Sequence, residues 1–193
     1  RKLLDVLKSE GCTLVFLSGT GAADGVDATG FEIVQKESPQ AHGVSAEKGV
    51  SDVMLSLCDQ EAKRRYLGDK LGAYWQPRRI SVVEKAEVRV LARYDADGAP
   101  AVAEIDGKGW KSVYVCDPGG LSPQYLNRLV HESGGYAPAA YGLQVDMNAD
   151  FLSLHCVIPG HYDFKLPGTR VVTNLTTGRE VPTDGNVLPL DLV

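Results

Sequence analysis

The sequence has no long apolar run. Nothing in it approaches the roughly 20 residues that a membrane-spanning helix needs, and no stretch of it reads as a signal peptide. It has no excess of positive charge. The net charge over 193 residues is −5, and the basic residues are scattered, Arg64-Arg65 and Arg78-Arg79 being only pairs. Neither nucleic acid nor an anionic membrane is therefore an expected partner. Cysteine is sparse: Cys12, Cys58, Cys116 and Cys156 contain no CxxC pair and no zinc-type spacing. Cys12, Cys116 and Cys156 lie in or beside apolar stretches and read as small buried hydrophobes, with disulfide pairing left open. Repeats and low-complexity segments are absent.

The four histidines, His42, His131, His155 and His161, are dispersed. His131 closes a predicted helix, where the dipole favours it. His155, His161 and Asp163 approach one another across the Pro159-Gly160 turn but lack a further ligand at a telling spacing. Gly19-Thr20-Gly21 resembles half a phosphate loop without its lysine. Asn174-Leu175-Thr176 matches the glycosylation pattern, a weak three-residue match. No cofactor or metal is expected.

Hydrophobic residues make up 44% of the chain, enough for one domain of moderate size with a modest second element. The chain opens on Arg1 and at once on a predicted helix, Arg1–Glu10, with Leu3, Leu4, Val6 and Leu7 on one face. Such a start suggests a piece of a longer polypeptide. Gly11 stops the helix. Cys12–Leu17 is a near-continuous apolar run that suits a strand buried on both faces of a parallel sheet, and a Gly-rich loop follows. Phe31–Val34 reads as a short strand and the Ser38-Pro39 region as loop. Asp52–Leu57 alternates like a half-buried strand, Gln60–Tyr66 suits one or two helical turns, and Gly68–Arg79 reads as an ordered loop.

Ala86–Tyr94, Ala99–Ile105 and Trp110–Cys116, joined at Asp95–Gly98 and Asp106–Gly109, predict a three-stranded meander. Asp117-Pro118-Gly119-Gly120 is a turn. Ser122 then caps a helix with Pro123 at its first position, Leu126, Leu129 and Val130 give it a buried face, and Gly134-Gly135 ends it. From Tyr141 onward the pattern is β only, with candidate strands at Leu143–Met147, Phe151–Val157, Tyr162–Leu166, Val171–Asn174 and Val187–Leu192.

The stretch VRVLARYDADGAPAVAEIDGKGWKSVYVCDPGGLSPQYLNRLVHESGGY resembles the glutamine-amidotransferase-like domain of certain bacterial glycoside hydrolases, including the trimer-forming domain of family 42 β-galactosidases. LLDVLKSEGCTLVFLSGTG is similar to another unit of that domain, and FLSLHCVIPGHYDFKLPGTRVVTNLTTGREV to the β-rich ending of such proteins. The resemblance implies an α/β fold. Residues 1–140 would form a partial flavodoxin-like parallel sheet with helices, its N-terminal part missing, and residues 141–193 a small antiparallel β cap or sandwich. It implies a soluble bacterial protein, cytoplasmic or secreted, that is a homo-oligomer or docks on a neighbouring domain. Carbohydrate would be the ligand of the parent protein.

A working class I amidotransferase needs a Cys nucleophile in a G-x-C-x-G elbow, and a His with an acid two residues later. None of the four cysteines has that context, and Cys116-Asp117-Pro118-Gly119 stands where the His-x-Glu belongs. The expectation is a catalytically silent module with no catalytic residue in this chain. An enzyme with its nucleophile upstream of Arg1 and a carbohydrate-binding module are the alternatives. Glu84, Glu87, Asp95, Asp97, Glu104 and Asp106 are expected in or beside exposed hairpins rather than as a glycosidase pair. Tyr74 and Trp75, with Arg78 and Arg79, are the candidate contact for a sugar or a partner subunit.

Overall fold

A computed structural model describes residues 2–23, 25–47, 50, 70–107, 109–137, 143–156 and 159–193. The expected strand at Asp52–Leu57 and the turns at Gln60–Tyr66 lie outside these, as does Cys58. The chain divides into two compact units, Arg1–Leu129 and Val130–Val193.

The first unit is built on one six-stranded sheet. Its strands are β1 (Thr13–Leu17), β2 (Ile33–Ala46), β3 (Lys70–Val82), β4 (Arg89–Tyr94), β5 (Pro100–Asp106) and β6 (Lys111–Val115), in the order β1-β6-β5-β4-β2-β3. The helices are α1 (Lys2–Ser9), α2 (Gly25–Thr29) and α3 (Pro123–Glu132), which runs across the boundary between the units. The meander forms as expected, β4 pairing with β5 and β5 with β6, both antiparallel.

The flavodoxin-like parallel sheet is not what forms. Only β1 and β6 run parallel, and every other described pair is antiparallel. Twelve strands stand against three α-helices among the described residues. The fold is a curled, mixed and mostly β structure. The misleading signal was the run Cys12–Leu17. An all-apolar strand fits a position buried on both faces, but β1 is an edge strand in which only Phe16 is fully buried.

The larger departure is the β2–β3 hairpin. Phe31–Val34 is the threshold of a 14-residue strand, Ser38-Pro39 sits within that strand at a register shift, and the expected loop Gly68–Arg79 is mostly strand β3. Local chemistry hid this: Ser-Pro, Gln-Pro and several glycines break the alternation that would announce strands. Burial still follows period two where the hairpin meets the sheet, with His42, Val44 and Ala46 inward. The core gathers Phe16, Phe31, Val44, Leu91, Tyr94, Val102, Val113 and Tyr114, and α3 adds Tyr125 and Leu129.

The start of α3 follows its sequence. Ser122 Oγ accepts from the Tyr125 backbone N–H at 3.1 Å, which satisfies one of the helix's orphan donors. At its other end Gly134, at φ 76°, takes the left-handed turn.

The second unit is a set of two-stranded antiparallel sheets: β7 (Leu143–Met147) with β8 (Leu152–Cys156), β9 (Gly160–Lys165) with β12 (Val187–Leu192), and β10 (Val172–Asn174) with β11 (Arg179–Val181). β11 was not expected from sequence. Phe164, Leu166 and Leu188 form its buried centre. No helix among the described residues is long and apolar enough to cross a membrane.

Candidate functional site

The chemistry of the first unit concentrates at the C-terminal end of β6, where the strand gives way to a 3-10 turn, Pro118–Gly120, and then to α3. Asp117 caps the turn. One carboxylate oxygen accepts from the Gly119 backbone N–H at 2.8 Å, and the other from Gln76 Nε2 of β3 at 2.7 Å. His42 comes from β2. Its Nε2 lies 3.2 Å from the Ser38 carbonyl, its Nδ1 lies 3.5 Å from Gln40 Nε2, and its ring meets Tyr94 edge-on at 5.6 Å. Tyr94 donates its hydroxyl to the Ile80 carbonyl at 2.8 Å.

Cys116 and Asp117 follow β6, and His42 on β2 is near enough to Asp117 to act on its charge. All three lie inside the core rather than in a cleft: Cys116 and Asp117 are 0% exposed and His42 is 4% exposed. Burial pushes the Cys116 thiol far up, and the Asp117 charge beside it adds to the rise. A thiol in that state is not a nucleophile, because the thiolate is the reactive form. Burial also raises the Asp117 carboxyl, against the opposing pull of Gly119, Gln76 and His42. Tyr94 is pushed up by the same cause.

The turn is sealed by backbone packing. A Cβ on Gly72 of β3 would lie 3.0 Å from the Gly119 carbonyl oxygen, and one on Gly119 would lie 3.1 Å from the Ala73 nitrogen. Strand and turn touch main chain to main chain, an approach that any side chain would crowd. The β2–β3 hairpin covers the junction at which an open α/β sheet would carry its ligand.

Glu104 does not sit on an exposed hairpin as expected; it is buried. It accepts from Arg89 Nη1 at 2.7 Å and from the Tyr125 hydroxyl at 3.1 Å, with Lys111 Nζ at 3.7 Å. These partners neutralise it and join β4, β5, β6 and α3, so it serves as a structural tie.

The candidate contact residues lie on strand β3. Trp75 is exposed; Arg78 is also exposed and pairs with Glu37 at 2.9 Å. Arg79 is largely covered, held by Asp97 at 2.6 Å and stacked over the Tyr94 ring at 5.3 Å. The Tyr74 side chain lies outside the described residues. The strand thus leaves Trp75 and Arg78 facing solvent and commits Arg79 to the fold.

His161 approaches Asp163 at 3.4 Å and Asp191 at 2.8 Å, not His155, which is exposed on β8. No group of three or more potential metal ligands occurs among the described residues.

Sequence reasoning missed His42. Its period-two relation to Val44 and Ala46 was the available signal. The chain matches no family model and no curated protein.

Proposed function

We propose that this chain is a non-catalytic structural and assembly module of a glycoside-hydrolase-like protein acting on carbohydrate, related to the amidotransferase-like domain it resembles. One observation carries the reading: the Cys116 thiol, the Asp117 carboxylate and the His42 imidazole are all shut inside the core. A nucleophile needs access and an activating base.

The assembly half of the reading is supported by the unequal edges of the large sheet. β3 carries Pro77 and the exposed Arg78 opposite a register shift, features that discourage strand addition. β1, with sequence TLVFL, carries none of them. Around it the structure leaves apolar residues in water. Leu3 and Val6 on α1 are 70% and 50% exposed, and Leu17 and Val26 are exposed as well. α1 has no fully buried residue, yet it is fastened to α2 by Lys8 Nζ on the Asp27 carbonyl at 2.8 Å. Exposed apolar surface beside an unprotected strand edge marks a contact with a second copy or with a neighbouring domain of the same protein.

Light scattering after size exclusion tests this. The chain should run as a dimer or larger, and Leu17→Lys at the exposed end of β1 should return it to monomer without lowering its melting temperature. A monomer at every concentration would sink the assembly reading. Hydrolysis of nitrophenyl glycosides that disappears in Cys116→Ala would sink the non-catalytic one.

A further inference from the structure

We propose that the second unit holds a carbohydrate-binding groove, with Phe151 as the platform for a sugar ring. The groove has a volume of about 580 Å³ and lies wholly within this unit. That is inside the range of about 300–1,000 Å³ typical of small-molecule sites. Its floor is the apolar centre of the unit, including Leu154, Leu166 and Leu188.

Its rim is polar in a specific way. Asn148 and Asn174 each close a turn with the side-chain carbonyl. Asn148 Oδ1 accepts from the backbone N–H groups of Asp150 and Phe151 at 2.9 and 2.8 Å, and Asn174 Oδ1 from those of Thr176 and Thr177 at 2.9 and 3.0 Å. With the carbonyl end locked, each amide plane is fixed. Each Nδ2 remains a donor with no protein acceptor among the described residues. Arg170 also lines the groove and has no ion-pair partner among them. Phe151, 48% exposed, lines the same groove.

Two fixed amide donors, a guanidinium, an aromatic side chain and an apolar floor suit one ligand class. A sugar offers a C–H face for the ring and hydroxyl oxygens for the donors. An acyl chain would use the floor and leave all three donors unpaired, at a cost in affinity. The assignment to carbohydrate rests on the proposed reading of the parent protein; the groove's donor chemistry does not.

The test is a titration of the full ¹⁵N-labelled chain with cellobiose, lactose, xylobiose and mannobiose, with octanoate as the apolar comparison. The side-chain amide signals of Asn148 and Asn174 should shift saturably with at least one disaccharide. Phe151→Ala should abolish the shift, and Arg170→Ala should weaken binding about tenfold. Both variants must keep the remaining spectrum unchanged. The proposal is overturned if no disaccharide moves the two amides, if octanoate alone does, or if Phe151→Ala binds like the parent. Light scattering on the same samples separates the readings, since an intact oligomer that ignores every sugar overturns only the groove.

Discussion

Asp117 has two hydrogen-bond donors on its carboxylate and no exposure to water. Burial dominates, so its pKa is raised in the folded state above the unfolded value of about 3.9. The folded chain then binds more protons than the unfolded one through the window above that value. Stability conferred at low pH is accordingly lost as pH rises through the folded pKa. Asp117→Asn removes the titration and keeps the side chain's shape. Its melting temperature should gain on that of the parent chain as the pH rises above about 4. Parallel pH profiles would refute the raised pKa. His42, which faces the same buried cluster, contributes its ring to the packing of Tyr94 and fastens to the Ser38 carbonyl, next to the register shift in β2. The residues that resemble catalytic parts are thus used as internal ties.

At the scale of elements, the turn after β6 depends on what is missing from its glycines. A Cβ on Gly120 would meet Val102 Cγ2 at 2.6 Å and Val44 Cγ1 at 3.4 Å, atoms of two core strands. Gly120→Ala should therefore cost about 1–3 kcal/mol through overpacking, read as a lower denaturation midpoint with an unchanged slope. A neutral result would mean that the turn does not bear on the sheet as described. The β1 edge behaves in the opposite way. It ends on Leu17, which is exposed, so Leu17→Lys should change association and leave stability alone. The two substitutions separate an interior contact from an exterior one.

At the scale of the whole molecule, the two units differ in how much core they own. The first buries aromatic side chains from several strands and from α3. The second rests on Phe164, Leu166 and Leu188 with a fringe of half-buried residues. Phe164→Ala should cost about 3–5 kcal/mol, a large share of what so small a core supplies. Amide exchange should then show residues of 143–192 losing protection while the strands of the first unit keep theirs. Loss of protection in both together would mean that the chain folds as one cooperative unit.

The strands of the meander, the cap at Ser122, the stop at Gly134 and most strands of the second unit were legible because each is announced locally, by alternation, capping or turn residues. The sequence by itself also determined that the Cys116–Gly120 junction lacks an adjacent histidine. Only the tertiary structure decided the rest. The long β2–β3 hairpin is held by partners far along the chain, and its Ser-Pro and Gln-Pro steps read locally as loop. Glu104 looks like a hairpin carboxylate until Arg89 and Tyr125 are brought to it. The run Thr13–Leu17 specifies an apolar strand but not its place in the sheet, because hydrophobicity sets burial while strand order is set by which distant edges meet. Likewise, His42 of β2 is brought near Asp117 only on folding, and the same folding closes both, with Cys116, off from water.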